Sequence, residues 1–409
     1  MAPALEGIKI VQTARIMAGP MAARLLADWG AEVIVVEPVI GDGPRDLRYQ
    51  ALTGKGKLTG INPEFEPFYL NKRSIALDLS REAGREILDR LLEKADVLVS
   101  NFRQREIDKF HLDYETLSRL NPRLIRANIT GWGRKGPNRD HPASGFLTFC
   151  RAGVEHLLLA PGTDPVTVPL DMPDIFGGLS LAYGIALALL IREKTGVGQE
   201  VDTSLFHTMV FGISAEMTET LVTGQHRVFQ TPRIDNTSAL STFYRTKDNR
   251  WFRLSVGIQR GAGFNWSDFC RAIECEELAN DPRFESNEAR QENKVDLFHI
   301  MEDVFLNKTL AEWTARLDEL RIASAPVQNP HEVIADPQAR ANDFFVPFEH
   351  PEYGPMEVVA SPVTLSQAQP VLKLPAPELG QHTEEILLEY GYTQEDIARF
   401  REQHVIAQG

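Results

Sequence analysis

The chain has 409 residues, of which 43% are hydrophobic and 24% are charged. These proportions are those of an ordinary globular protein, and at about 100–200 residues per domain the length predicts two or three domains. The formal net charge of −14, with no basic stripe interleaved with aromatic residues, argues against a nucleic-acid partner.

Cysteine usage and the lack of targeting patterns favour a cytoplasmic protein. Cys150, Cys270 and Cys275 make an odd count without a CxxC pair or metal-ligand spacing, so we expect reduced thiols and no metal. No basic segment followed by a long apolar one is present near Met1, so no secretory signal is predicted. The longest apolar run, residues 179–191, is shorter than the ~18–20 residues that cross a bilayer. We expect this run to form a buried core helix, and we expect no membrane partner.

The N-terminal half alternates strand and helix patterns, which is typical of a mostly parallel sheet. Strands are predicted at 8–12, 32–36, 74–79, 96–99 and 124–129, with helices at 19–29 and 81–95 between them. No GxGxxG motif follows the first strand, so the fingerprint of a nicotinamide or flavin site is missing. We therefore predict a Rossmann-like α/β domain whose topology alone names no ligand.

The second half of the chain predicts a smaller α+β domain. A polar connector follows residue 222, and the strand-like segments 242–247 and 251–256 flank Asp248-Asn249, which predicts a hairpin. Helical patterns follow at 266–273, 295–305 and 310–320. We predict a large domain at 1–224, a small domain at 225–330, and a C-terminal segment, 331–409, that completes the large domain.

The most informative stretch starts at Asp174 and reads Asp-Ile-Phe-Gly-Gly, followed by the apolar run. After Pro173, the aspartate is a favoured helix N-cap, and the field of the helix keeps a carboxylate ionised, as a nucleophile requires. Gly177 and Gly178 would let a thioester approach closely, with its developing oxyanion facing bare backbone N–H groups. The same residues also suit a simpler arrangement, in which Asp174 only caps a buried helix and the glycines only allow close packing.

Residues Asp174–Gly184, followed at unchanged spacing by Thr195-Gly-Val-Gly-Gln199, resemble the catalytic signature of the family III coenzyme A transferases. This family contains formyl-CoA transferase and the carnitine CoA-transferases, and the resemblance covers essentially the whole chain. It implies that Asp174 attacks an acyl-CoA such as succinyl-CoA, and that an aspartyl anhydride and an aspartyl-CoA thioester follow. It also implies CoA thioesters as substrates without a permanent cofactor, and an interlocked homodimer.

The resemblance also implies a set of residues that contact coenzyme A. They lie in the loop after the first strand, before the third strand, and after the fourth: Arg15, Met17, Ala18, Asn71, Lys72, Arg73, Asn101, Phe102 and Lys109. Formyl-CoA transferase has an arginine where this chain has Pro38, so we expect Arg45 or Arg48 to supply that phosphate contact. Each single basic residue also suits a solvated strand end.

Two departures from formyl-CoA transferase indicate a different, larger acid substrate. Met17 replaces a glutamine, and residues 233–240 lack the glycine run that covers the active site in that enzyme.

Two other functions remain open. An α-methylacyl-CoA racemase needs two proton-transfer groups, but its His-Asp pair falls at Ser144-Gly145, and His141, three positions earlier, suits a polar loop. A non-catalytic CoA-binding subunit of a heteromeric transferase is the second alternative.

Overall fold

A computed structural model describes residues 3–46, 62, 65–159, 163–165, 171–226, 233–235, 238–256 and 265–407. The chain forms two compact units. The first contains Met1–His156, Thr167–His226 and Asn342–Gly409, and the second contains Leu157–Val166 and Arg227–Ala341.

The elements are numbered here in chain order. The strands are β1 Lys9–Gln12, β2 Glu32–Glu37, β3 Lys72–Ala76, β4 Val97–Ser100, β5 Ile125–Thr130, β6 Glu200–Ser204, β7 Phe243–Arg245, β8 Trp251–Leu254, β9 Ser324–Pro326, β10 Phe345–His350 and β11 Gly354–Val359. The helices before residue 224 are α1 Ala18–Ala27, α2 Gly43–Asp46, α3 Glu66–Tyr69, α4 Glu82–Glu93, α5 Gln104–Phe110, α6 Tyr114–Leu120, α7 Gly145–Arg151, α8 Val154–Leu158, α9 Met172–Thr195, α10 Leu205–Gly212 and α11 Ser214–Thr223. The remaining helices are α12 Trp266–Ala272, α13 Asn287–Glu292, α14 Lys294–Phe305, α15 Leu310–Glu319, α16 Pro330–Ala335, α17 Pro337–Ala341, α18 Thr383–Glu389 and α19 Gln394–Glu402.

Six parallel strands form the central sheet of the first unit, in the order β3-β2-β1-β4-β5-β6. The predicted parallel sheet and the α/β fold class are therefore confirmed. The strand order reverses between β1 and β4, and open α/β sheets bind ligands beyond the carboxyl ends of the strands at such a point. The loops after β1 and β4 therefore lie where a ligand site is expected.

Both faces of this sheet are covered, as a parallel sheet requires. One face packs against α1 and α9 through residues such as Ala22, Leu181 and Ile185. The other face packs against α4 and also against α18 and α19, through Ile386 and Phe400. The C-terminal helices thus share a core with strands that lie some 300 residues earlier, consistent with the 308 positions that separate hydrogen-bonded Ser74 and His382.

Helix α9 differs from the buried core helix that the sequence predicts. It has 24 residues, and an 18-residue window with a mean hydropathy of 1.9 makes it long and apolar enough to cross a membrane by length and composition. Only a third of that window is buried, and Tyr183, Leu187 and Leu190 are exposed. A single such helix is weak evidence for a membrane span. The expectation of full burial was wrong because only the side facing α1 and the sheet is covered.

The second unit contains the antiparallel sheet β7-β8-β9. Strands β7 and β8 pair across Asp248-Asn249, with Asn249 in the left-handed region at φ 60°, which confirms the predicted hairpin. This unit runs to Ala341, eleven residues beyond the predicted boundary at 330, and Glu332 of α16 pairs at 2.8 Å with Arg250, the residue before β8.

Candidate active site

The loop that joins β1 to α1 is held by the first residue after β4. The Asn101 side chain donates a hydrogen bond to the Arg15 carbonyl at 2.8 Å and accepts one from the Arg15 backbone N–H at 3.1 Å. This double contact joins the two loops at the point where the strand order reverses. Asn101, predicted as a coenzyme contact, therefore positions the Arg15 backbone.

Asp174 lies at the meeting of two helix N-termini. It is in the first turn of α9, but the predicted N-cap role is wrong, because the helix starts at Met172 and Asp171 occupies the N-cap position. The Asp174 carboxylate accepts a hydrogen bond from the backbone N–H of Ala18, the first residue of α1. The loop between β1 and α1 thus delivers a backbone donor to the predicted nucleophile.

Burial raises the pKa of the Asp174 carboxyl to about 6. The negative charge of Asp171 adds to this increase in pKa, and the hydrogen bond from Ala18 opposes it. The desolvation of the carboxylate outweighs the helix field on which the sequence argument relied. Because a pKa of about 6 is one unit below neutrality, about nine-tenths of the carboxyl groups are still ionised at pH 7.

Gly145, the first residue of α7, is the close neighbour of this carboxylate. A Cβ atom at this position would lie 2.5 Å from Asp174 Oδ2. In the sequence, Gly145 stands out only as the place of a missing racemase residue, and this contact was not predicted. The available signal was the N-cap serine, Ser144, whose side chain accepts a hydrogen bond from Leu147 and fixes the start of α7 beside the site.

Gly177 and Gly178 do not face the site. Both are buried, and a Cβ on Gly177 would lie 2.7 Å from Ile129, while one on Gly178 would lie 2.8 Å from the Ala18 carbonyl oxygen. The predicted role in binding an oxyanion is therefore replaced by a packing role, the simpler arrangement left open above. These glycines bring α9 close to α1, which places Asp174 beside the Ala18 N–H.

A cavity of about 650 Å³ surrounds Asp174. Its lining includes the predicted residues Arg15, Met17, Ala18, Asn101 and Phe102, together with Ile16, Arg103, Arg139, His141, Gly145 and Phe146. Arg103 pairs with Glu106, and Arg139 pairs with Asp140. Within the described ranges, the guanidinium of Arg15 has no ion-pair partner, which leaves it available for an anionic ligand.

A second cavity, of about 350 Å³, shares Arg15, Phe102 and Glu106 with the first. Its lining adds Lys109 and Pro38, so the predicted residue Lys109 lines this cavity and not the one that contains Asp174. The two cavities are thus neighbours on one edge of the sheet. Together they offer a path along which a long ligand would pass from Lys109, past Arg15, to the carboxylate.

Lys72 is excluded from this path. Its side chain is fully buried, and Nζ donates hydrogen bonds to Gln12 Oε1 at 2.8 Å, to the Pro20 carbonyl at 2.8 Å and to the Phe68 carbonyl at 2.6 Å. Three acceptors use all three donors of an ammonium group. The structure therefore assigns Lys72 a structural role in place of the predicted coenzyme contact.

Three further predicted residues hold the C-terminal segment. Asn71 Nδ2 donates to the Val371 carbonyl at 2.6 Å, and Arg73 pairs with Glu385 and Glu389 on α18. Arg45 forms a two-point contact with Glu37, at 2.6 and 2.7 Å, and donates to the Pro377 carbonyl at 2.8 Å. None of the three lines either cavity, although Asn71 and Arg73 line a separate cavity of about 740 Å³, so the structure does not bring these predicted coenzyme contacts to Asp174. Arg48, the alternative to Arg45, lies outside the described residues.

His141 lies at the site, although the sequence predicted only a polar loop residue. It lines the cavity of Asp174, and its Nδ1 lies 2.7 Å from Asn138 Nδ2. Its loop is anchored to the end of β5, because Trp132 Nε1 donates to the Pro142 carbonyl at 3.1 Å. Among the residues that the structure describes, no group of His, Cys, Asp and Glu side chains is suited to hold a metal ion.

Comparisons with known proteins give matches over nearly the whole chain. The model of the family described as CoA-transferase family III matches residues 5–383. The chain is 34% identical over 406 residues to (R)-2-hydroxy-4-methylpentanoate CoA-transferase of Clostridioides difficile, covering 98% of this chain and 99% of that protein. It is 31% identical to cinnamoyl-CoA:phenyllactate CoA-transferase of Clostridium sporogenes, covering 96% and 94% of the two chains. A crystal structure of a CaiB/BaiF family protein from Brucella suis has a TM-score of 0.82 at 30% identity, covering 95% of this chain and all of that one.

Proposed function

Since this chain belongs to CoA-transferase family III, we propose that it moves coenzyme A from an acyl-CoA, such as succinyl-CoA, to a carboxylic acid through the Asp174 carboxylate. The single observation that carries this mechanism is the position of Asp174. It is partly buried in a large cavity, receives the Ala18 backbone N–H, and has no second described carboxylate in hydrogen-bond contact. Such a carboxylate is placed to react and not merely to cap a helix.

The proposed reaction exchanges acyl and thiol groups without a net proton transfer. The Asp174 carboxylate attacks the thioester carbonyl, the C–S bond breaks, and a mixed anhydride and a CoA thiolate form. The thiolate then attacks the aspartyl carbonyl, which gives an aspartyl-CoA thioester and releases the donor acid as its carboxylate. The acceptor carboxylate repeats these steps in reverse, so acceptor acyl-CoA leaves and Asp174 is regenerated.

The free energies of reactants and products are similar in this reaction. The protein therefore mainly has to supply backbone N–H groups that stabilise oxyanions and a site that excludes water. The Ala18 N–H holds the Asp174 carboxylate in the ground state. As the carboxylate becomes an ester-like carbonyl in the anhydride, the same donor is placed to polarise it for attack by the thiolate. No metal or permanently bound cofactor takes part in these steps.

We place coenzyme A along the two neighbouring cavities. Its nucleotide end would lie near Lys109, its phosphates near Arg15, and its thioester beside Asp174. Arginine suits the phosphate contact, since its planar guanidinium forms paired hydrogen bonds with phosphate oxygens. Replacing Arg15 with alanine is expected to raise the KM for the acyl-CoA, and an unchanged KM would remove Arg15 from the coenzyme site.

We further propose a homodimer in the cytoplasm. Apolar side chains are exposed on α9, α10 and α11, among them Leu190, Phe211 and Leu221, the last 85% exposed. Exposed apolar patches of this kind mark protein interaction sites. Light scattering during gel filtration should give twice the monomer mass. A monomer mass for the pure chain, with activity gained only on adding a related subunit, would favour the heteromeric alternative.

Kinetics of the Asp174→Asn and Asp174→Ala variants test the proposed function. Transfer of coenzyme A between two acids, followed by chromatography of both acyl-CoA species, should be lost in both variants while acyl-CoA still binds. Turnover that survives either change would refute the mechanism.

One observation favours a second function, proton exchange at the α-carbon of an acyl-CoA. His141 and Asp174 line the same cavity, and such exchange needs two acid-base groups. Deuterium incorporation from D₂O into a 2-methylacyl-CoA, without an acceptor acid, separates the two functions. Incorporation at a rate matching or exceeding transfer would replace the transferase assignment with that of an isomerase.

A further inference from the structure

Ile16 has a strained backbone within the loop that precedes α1. Its φ of 72° lies in the left-handed region, which glycine and asparagine enter far more easily than a β-branched residue. Strain of this kind persists only where the surrounding structure imposes it, and it concentrates at functional sites. A contact of the Ile16 backbone must therefore hold this φ angle, and a role of the side chain must account for an isoleucine at this position.

A buried carboxylate imposes the conformation. The Ile16 backbone N–H donates to Asp42 Oδ2 at 2.9 Å, and the Tyr69 hydroxyl donates to the same oxygen at 2.5 Å. Asp42 is only 3% exposed, and its other oxygen accepts the Gly43 N–H at 2.8 Å. This support acts on the backbone of residue 16, so it would hold any residue type in place and does not explain an isoleucine.

The isoleucine side chain packs against little of the protein. It is 55% exposed, and it lines the cavity that contains Asp174. Phe146, 50% exposed, and Met17 line the same cavity. Because consecutive Cα atoms are about 3.8 Å apart, Ile16 lies within about 8 Å of Ala18, the residue that holds the carboxylate. An apolar surface is thus kept open to solvent next to the reacting group.

We propose that Ile16 is a specificity-determining residue, whose side chain packs against an apolar substituent of the carboxylic acid substrate. The inference rests on the proposed function and names its substrate class: acids with a branched aliphatic or aromatic group near the carboxyl. Bound substrate would cover Ile16 and Phe146 and so remove their apolar surface from water. This contact with the substrate would explain why a strained isoleucine is present at a position whose backbone suits glycine or asparagine better.

Acceptor selectivity of Ile16→Gly and Ile16→Asn tests the proposal. With one acyl-CoA donor, kcat/KM is measured for 3-methylbutanoate, 3-phenylpropanoate, acetate and succinate as acceptors. The wild type should prefer the two apolar acids. In both variants the ratio of kcat/KM for 3-methylbutanoate to that for acetate should fall about tenfold, as expected for a lost contact with a few methylene or methyl groups.

Thermal unfolding separates this role from a structural one. Both variants relieve the backbone strain, so the Asn variant should unfold at a temperature no lower than the wild type. Arg321→Gly is the matched control, because Arg321 has φ 54°, is exposed and lies in the other unit. It relieves similar strain and should leave the acceptor ratio unchanged.

The possible results distinguish the inference from the function on which it rests. An unchanged acceptor ratio in both variants, a wild-type preference for acetate or succinate, or a lower unfolding temperature of the Asn variant would each overturn the role of Ile16. In those cases transfer and a covalent adduct at Asp174 would still support the proposed function. Absence of transfer to any acid, together with absence of an adduct in the wild type, would overturn both.

Discussion

Gly145→Ala is expected to impair the reaction while leaving the fold intact. The added Cβ would lie 2.5 Å from Asp174 Oδ2, so the carboxylate must move by about 0.9 Å to reach the 3.4 Å at which ordinary contact begins. The other neighbours, both atoms of Pro173, are 3.6 Å away and need not move. The whole displacement therefore falls on the carboxylate and on its hydrogen bond with Ala18.

The magnitude follows from this displacement. A misplacement of about 1 Å in a reacting group costs up to about a hundredfold in rate, or about 2.7 kcal/mol of activation free energy. The free energy of unfolding should change little, because alanine is favoured over glycine within a helix by about 0.5–1 kcal/mol and Gly145 is not in the left-handed region. A loss of activity without a loss of stability is the signature expected of Gly145→Ala.

The assay compares kcat, the yield of covalent adduct at Asp174 and the unfolding temperature in Gly145→Ala and in a control. Gly212→Ala serves as the control, since Gly212 is also a helix-terminal residue and nothing beyond its own helix backbone and chain neighbours lies within 4 Å of the added Cβ. A Gly145→Ala variant that is well folded and retains the wild-type kcat would refute the reasoning. It would mean that the position of the Asp174 carboxylate is not critical to the rate.

The remaining predictions concern pH and two lysines. Since the pKa of Asp174 is about 6, kcat/KM should be constant above pH 7 and should fall about tenfold for each pH unit below 6. A kcat/KM that does not fall at acidic pH would show that Asp174 is not the ionising nucleophile. Because this folded-state pKa exceeds the 3.8 of the unfolded chain, ionisation opposes folding as the pH rises. Asp174→Asn should therefore be more stable than the wild type at pH 7–8, by on the order of 2 kcal/mol, and equally stable below pH 4; equal stability at all pH values would contradict this. Lys72→Met should lower the free energy of unfolding by at least about 3 kcal/mol, because it leaves three buried acceptors unpaired, whereas Lys109→Met should raise the KM for acyl-CoA without a change in stability. The reverse pattern in urea titration and steady-state kinetics would restore Lys72 to the coenzyme site.

Elements with strong local patterns were predictable from the sequence. Five strands of the parallel sheet were predicted from their apolar segments, and the Asn249 turn carries the residue that a left-handed position favours. The sixth strand, β6, was not predicted, because its sequence Glu-Val-Asp-Thr-Ser has no apolar run. The length of α9 was underestimated because charged residues at its C-terminal end stop the apolar run before the helix ends at Thr195. Its exposure was missed because an apolar run does not reveal which side is covered.

The basic residues show what sequence cannot provide. Lys72, Arg73 and Arg45 have the same charge as Arg15, and nothing local to each residue distinguishes a phosphate contact from a structural ion pair. The distinction depends on partners such as Glu37, Gln12 and Glu389, of which Glu389 lies 316 positions away from Arg73. Long-range pairing of this kind becomes visible only in the folded chain.

The glycines illustrate the same difficulty. Gly177 and Gly178 follow Asp174 and attracted a catalytic interpretation, but they face α1 and β5. Gly145, which is 29 residues before Asp174, approaches its carboxylate because two separate helices begin at the same place. Spacing along the chain therefore singled out Asp174 as the candidate nucleophile but did not identify the residue that leaves space for its carboxylate.

Mass spectrometry of the protein after incubation with an acyl-CoA and no acceptor tests the central claim most directly. Borohydride reduces an aspartyl-CoA thioester to homoserine, and peptide mapping locates the change. The account predicts homoserine at position 174 in the wild type and its absence in Asp174→Asn and after addition of an acceptor acid that discharges the enzyme. Unmodified Asp174 under conditions in which coenzyme A transfer proceeds would contradict the account.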